Sequence, residues 1–208
     1  THRATGPMNK TPTARQACEA FACAVQAKRH TLAPGREEDR LRHPTEDLLV
    51  AMGQLHGLDV QAIDESPLDD IGRPDFAVTV NRLLCGYLEL KAPGTGADPN
   101  RFKGHNRRQW ERFQFLPNLI YTDGSEWALL RTGKAIRRVR FDDDVTPAGS
   151  QAVSDAASAA LSALLLDFFQ WQPIVPGTAK QLAQTLAPLC RLLRDDVLEA
   201  LAKRSEAM

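Results

Sequence analysis

The chain has 208 residues, and its 26 basic side chains are balanced by 26 acidic ones, so no net field draws it onto a polyanion and any charge-driven binding must come from local clusters. A composition of 43% hydrophobic and 25% charged residues supports a globular core and excludes a disordered chain. No apolar run reaches spanning length, no signal peptide is legible, and Cys18, Cys23, Cys85 and Cys190 lack zinc-ligand spacing, which together point to free thiols in a cytoplasmic protein.

Residues 1–7 read as an expression scar ahead of Met8. Residues 13–29 read as a helix, broken at Pro34-Gly35. After a highly charged stretch, 36–42, a second helix is expected: Thr45 caps it, Glu46 and Asp47 occupy its first turn, and Leu48, Leu49, Met52 and Leu55 recur at helical spacing. From about Asp59 the pattern changes. Phe76, Val78 and Val80 alternate with Asp75, Ala77 and Thr79; then Leu84, Gly86, Leu88 and Leu90 alternate with Cys85, Tyr87, Glu89 and Lys91. Period two predicts two strands joined by a turn near Asn81-Arg82, the second ending at Pro93-Gly94. Residues 100–115 form a basic helix, 119–131 a hairpin turning at Asp123-Gly124, and 135–141 a further strand. Helices follow at 154–171 and 179–203, separated by a linker at 173–177. The expected fold is α/β, a central mixed sheet flanked by helices, with a core at 8–145 and a C-terminal helical coupling region at 146–208.

The second strand carries an unusual pair. Glu89 and Lys91 share one face, flanked by Tyr87, Leu88 and Leu90, where an acid and a base are expensive to bury. Asp75 opens the neighbouring strand, so pairing of the two strands would bring two carboxylates and an ammonium together. That set suits phosphodiester hydrolysis. Two carboxylates and the backbone carbonyl of Leu90 can hold Mg2+, with Mn2+ as a substitute, while Lys91 positions water or neutralises developing charge.

Arg73-Pro74-Asp75 followed after a hairpin by Glu89-Leu90-Lys91 resembles the PD-(D/E)xK nuclease signature. The resemblance implies a restriction-endonuclease-like core and metal-dependent cleavage of double-stranded DNA. It adds Glu46 as a metal-site acid on an earlier helix. It also adds Gln109, within a Gln-x-x-x-Tyr motif whose last position is Phe113 here. The run Glu89-Leu90-Lys91-Ala92-Pro93-Gly94, the basic helix and Asn118-Leu119-Ile120-Tyr121-Thr122-Asp123-Gly124 resemble the N-terminal nuclease region of large single-chain restriction–modification enzymes. That implies methyltransferase and specificity domains outside this chain, since no nucleotide-binding glycine motif and no Asn-Pro-Pro-Tyr is found, and a transient dimer on DNA for cutting both strands. Arg101, Lys103, Arg107, Arg108 and Arg112, beside the expected metal site, are the candidate phosphate contacts. A second basic cluster, Arg131, Lys134, Arg137, Arg138 and Arg140, is a weaker candidate, and Trp110 and Trp127 are expected in the core. Two alternatives stay open: a catalytically silent DNA-binding or docking module on the same fold, and a repair or exonuclease-type member of the superfamily.

Overall fold

The structure is a computed structural model that describes residues 12–30, 37–64, 74–172 and 194. Residues 1–7, Arg73, Cys190, the linker expected at 173–177 and nearly all of the helix expected at 179–203 lie outside the described residues. Helix α1 spans Ala14–Ala27. A capping box starts it: the Gln16 amide donates to Thr13 Oγ1 at 3.2 Å and the Thr13 amide to Gln16 Oε1 at 2.9 Å. Ala17, Cys18, Phe21, Ala22 and Val25 then recur along its buried face.

Helix α2 spans Asp39–Leu55, which corrects the expected start at Thr45. Thr45 sits inside the helix, buried, and caps nothing, and Glu46 and Asp47 lie in the helix interior rather than its first turn. The buried stripe begins about two turns earlier than the sequence pattern suggested, at Leu41, and continues through Leu48, Leu49 and Met52. Burial of that stripe outweighs the one backbone hydrogen bond that the interior Pro44 cannot make. The extra turns bring Arg42 onto the helix.

Six strands form one sheet in sequence order: β1 Val60–Asp64, β2 Phe76–Val80, β3 Leu83–Leu90, β4 Leu119–Thr122, β5 Glu126–Arg131 and β6 Lys134–Arg140. All neighbours are antiparallel except β3 and β4, which run parallel. The sheet is therefore two three-stranded meanders joined through one parallel pair, and the chain has to cross over between them. That crossover holds a 3-10 turn, Pro99–Arg101, and helix α3, Gly104–Phe113, shorter than the continuous helix expected over 100–115. The β2–β3 turn falls where expected, with Asn81 and Arg82 at φ 50° and 69°, the left-handed geometry that two-residue hairpins use. Asn81 tolerates that geometry and its side-chain oxygen accepts from the Asp59 amide at 3.1 Å.

Two features of the sheet depart from the expected alternation. Strand β1 has no counterpart in the sequence reading, because only Val60 of its five residues is buried and no period-two pattern results. In β3, Val78 pairs with Gly86 but Thr79 with Leu84, so Cys85 is an extra residue. The bulge turns Cys85 into the core and leaves Leu84 exposed, although the alternation had placed Leu84 with Leu88 and Leu90. Next to the bulge, a Cβ on Gly86 would lie 2.5 Å from the Asn118 carbonyl oxygen and 2.8 Å from the Phe168 ring, so only glycine fits.

One face of the sheet packs against α1, α2 and helix α5, Asp155–Phe169, which follows a short helix α4, Val145–Ala148. Phe21 meets Trp127 edge-on at 5.8 Å, and Leu161, Leu164, Leu165 and Phe168 are fully buried in the same core. Val145, Ala152 and Val153 are buried in the same cluster. The other face carries a smaller cluster, in which Phe102, Trp110, Phe113 and Leu116 cover Leu119, Tyr121, Ala128 and Leu130. Trp110 and Trp127 are both core residues, as expected. Among the described residues, no single helix is long and apolar enough to cross a membrane.

Candidate active site

The site lies on the face of the smaller cluster, at the end of β3 where the parallel pair ends. Glu89 pairs in register with Tyr121, and the Lys91 amide extends the ladder by donating to the Thr122 carbonyl at 2.8 Å. Both side chains are buried, Glu89 at 5% and Lys91 at 4% exposure. The Lys91 ammonium donates to Glu89 Oε1 at 2.8 Å and to Gln109 Oε1 at 2.5 Å, and the Gln109 amide donates to the same Glu89 oxygen at 2.7 Å. The rest of the ammonium's surroundings are aromatic: Nζ lies 5.2 Å from the Tyr121 ring centroid and 5.9 Å from that of Phe102. Gln109 reaches in because α3 turns Gln109, Trp110 and Phe113 inward.

Asp75 stands just ahead of β2 and is tied to β3 twice. Its amide donates to Glu89 Oε2 at 3.1 Å, and its Oδ2 accepts from the Leu90 amide at 2.8 Å. The three residues singled out from the sequence, Asp75, Glu89 and Lys91, are therefore brought together, and Gln109 joins them. Burial pushes the Glu89 carboxyl up to about 7, with the Asp75 charge adding to the rise and Lys91 pulling against it.

The structure adds a residue that the sequence reading did not single out. Arg42 of α2 donates through Nη2 to Asp75 Oδ1 at 2.6 Å, and through Nη1 to the Asp75 carbonyl at 3.1 Å and to Asp64 Oδ1 at 2.6 Å. Its guanidinium lies 5.1 Å from the Phe76 ring centroid. Burial works against its charge, but Asp75 and Asp64 outweigh that and raise its pKa. No local pattern marks Arg42, which lies 33 residues from Asp75 in the sequence.

Glu46 is not gathered into the cluster. It lies one helical turn beyond Arg42 on α2, and its side chain meets His43 Nδ1 at 3.2 Å. Among the described residues, no three His, Cys, Asp or Glu side chains come together as a metal-holding group. The oxygens of Asp75 and Glu89 nevertheless suit a hard divalent cation. Glu89 Oε1 is taken by two donors, whereas Glu89 Oε2 and each Asp75 side-chain oxygen carry one donor apiece, which leaves each a lone pair.

The candidate phosphate contacts divide. Lys103, Arg107 and Arg108 are exposed along α3 and its start, and Arg112 is half-buried. Arg107 makes an ion pair with Glu111 at 3.3 Å. Arg101 lies on the 3-10 turn and is committed to Glu126 at 2.5 Å. On β6, Arg138 pairs with Asp98 at 2.8 Å and Arg140 with Glu126 at 3.6 Å. Acids thus occupy much of the second basic cluster.

No family model matches the chain, and no curated protein matches it. Among solved structures, one described as a DrdV–DNA complex determined by cryo-electron microscopy is similar to it with a TM-score of 0.50 and 20% identity. The match covers 77% of this chain and 14% of that one. At that identity the likeness speaks to the fold. The fold is α/β and restriction-endonuclease-like. The central mixed sheet flanked by helices is the architecture expected from the sequence.

Proposed function

We propose that this chain is a Mg2+-dependent endonuclease domain that hydrolyses DNA phosphodiester bonds, of the PD-(D/E)xK kind, and serves as the cleavage part of a restriction–modification enzyme. The observation that carries the proposal is the buried Lys91 ammonium, held by Glu89 and Gln109 beside Asp75. A buried ion pair is a poor way to stabilise a fold, since apolar residues of similar volume do as well or better. Its burial at the end of a strand, next to a second carboxylate, is what a phosphoryl-transfer site needs.

Asp75 and Glu89 would hold Mg2+ with the Leu90 carbonyl, Mn2+ being able to replace it, and Glu46 would act from the margin. The cation would supply Lewis acidity toward the phosphoryl oxygens and a more acidic bound water. Lys91 neutralises charge developing on the phosphate, and Gln109 fixes the direction of that ammonium. Lys103, Arg107 and Arg108, with Arg112, would grip the backbone of double-stranded DNA, a partner supported by the DNA in the similar solved structure. Arg101 would first have to leave Glu126. Methyltransferase and specificity functions would belong to other domains, and a double-strand break would take two copies meeting on the DNA.

A second reading has an observation of its own. Arg42 already occupies Asp75 Oδ1, and no third carboxylate joins the cluster among the described residues. That arrangement also suits a nuclease-like module that holds DNA without cutting it. Cleavage of supercoiled plasmid in Mg2+ or Mn2+ separates the readings. Nicking that disappears with EDTA and in Lys91→Ala is the expected result. Nicking retained in Lys91→Ala would overturn the proposed site, and DNA binding without nicking would favour the second reading. Comparing circular with linear DNA would detect an exonuclease through its need for ends.

A further inference from the structure

We infer that Arg42 is a positioning residue that stands in for the cation at Asp75 and yields that carboxylate to it, withdrawing to Asp64. The inference rests on the proposed metal site at Asp75 and Glu89. Three observations lead to it.

The first is geometric. The Arg42 fork divides between two acids, with Nη2 on Asp75 Oδ1 and Nη1 on Asp64 Oδ1, each at 2.6 Å. Oδ2 is tied to the Leu90 amide, so a divalent cation on the remaining lone pair of Oδ1 would share that oxygen with Nη2 and meet the guanidinium's charge at close range.

The second is charge. With Arg42 in place, the two proposed metal ligands, Asp75 and Glu89, are matched in charge by Arg42 and Lys91, a neutral set beside which Asp64, the second acid on Arg42, faces solvent. Adding a divalent cation to that neutral set would leave two surplus charges close together. If Arg42 withdraws, one surplus positive charge remains beside Lys91, and a phosphodiester carries one negative charge to meet it.

The third is the path of withdrawal. Asp75 is largely enclosed, at 19% side-chain exposure, but Asp64 is 59% exposed and Arg42 itself 31%. Moving toward Asp64 takes the guanidinium toward water, so the displaced charge has both a counter-ion and solvent. Asp64 sits on β1 and Asp75 leads into β2, strands that pair directly, so a small change of side-chain torsion covers the distance.

Calorimetric titration of the full chain with Mn2+, in the absence of DNA, tests this without any reading of activity. Four proteins are compared with the wild type: Arg42→Met, which keeps an unbranched side chain and removes the charge, Asp64→Asn, the double variant, and Asp75→Ala. Arg42→Met is expected to bind Mn2+ at least about fivefold more tightly, the low end of the coupling between linked sites. A residue that merely supported the fold would shift affinity the other way. Asp64→Asn is expected to weaken binding in the wild-type background and to change nothing once Arg42 is Met. Asp64 is exposed, so this arm stays informative even if Arg42→Met folds poorly by circular dichroism. Wild-type binding with unchanged or weaker affinity in Arg42→Met overturns the inference, as does an Asp64→Asn effect that persists in the double variant. If the wild type binds no Mn2+, or if Asp75→Ala binds it equally well, the metal-site reading itself fails and the inference falls with it.

Discussion

Gln109 and Glu89 lie on different elements 20 residues apart, yet the Gln109 amide nitrogen sits 2.7 Å from Glu89 Oε1 while its oxygen receives the Lys91 ammonium. One neutral amide therefore satisfies both members of a buried ion pair. Gln109→Leu would leave both less satisfied, and a loss of about 1–3 kcal/mol in unfolding free energy is expected. Urea denaturation measures it. Gln109→Glu is expected to cost more, because it buries a second carboxylate against Glu89.

The ion pair itself gives a sharper test. Lys91→Ala alone strands Glu89 in the core, whereas Lys91→Met combined with Glu89→Gln removes both charges and keeps the volume. The double variant is expected to unfold at the wild-type urea midpoint or above it, and to show no plasmid nicking at all. Loss of function without loss of stability would identify the pair as a working group. A double variant that is both folded and active would remove the reason for assigning it one.

Glu89 also predicts how stability responds to pH. Its folded-state pKa is raised above the ordinary carboxyl range to about 7, mainly by burial. Between those limits the folded state holds more protons than the unfolded one. Metal-free stability should therefore be highest at the acid end of the window and decline as pH rises toward about 7. Urea unfolding across pH 5 to pH 8 checks this, with Glu89→Gln expected to lack that decline. Mn2+ binding should run in the opposite direction, weakening below about 7 as the carboxyl takes up a proton.

DNA binding should depend on α3 more than on the neighbouring 3-10 turn. Replacing Arg107 and Arg108 with Ala is expected to flatten the salt dependence, by roughly 0.9 in log–log slope for each phosphate no longer neutralised. Fluorescence anisotropy with a duplex over a range of salt measures it. Arg101→Ala should change the slope less, since its guanidinium is engaged by Glu126.

Gly86→Ala tests the packing beneath the site. The added methyl would collide with the Asn118 carbonyl and the Phe168 ring, and a cost of about 1–3 kcal/mol is expected in thermal or urea unfolding. A neutral result would mean that the β3 bulge can shift.

The parts of this molecule that local pattern governs were legible in advance. The turns at Asn81-Arg82 and Asp123-Gly124, the helical stripe of α1, and the shared face of Glu89 and Lys91 all follow from spacing and turn chemistry. Asp75, Glu89 and Lys91 could be singled out because they lie within one hairpin. What tertiary packing decides was not legible. The start of α2 was hidden by Pro44, a residue that usually marks a boundary, and burial of Leu41 overrode it. Strand β1 shows little apolar alternation because it lies at the sheet edge, and the Cys85 bulge inverted Leu84 with no proline to announce it. Arg42 carried no signal, since its meaning comes from Asp75 and Asp64, which reach it only through the fold.

The lone parallel pairing, β3 with β4, has a consequence for how the molecule comes together. Each meander can zip up through short-range pairing, whereas docking one against the other requires closing the long connection between Lys91 and Asn118. Asp75 and Glu89 belong to the first meander, Tyr121 to the second, and Gln109 to the connection itself. The candidate site is therefore a seam rather than a property of either half. A chain that has completed one meander still lacks part of that site until the other docks against it.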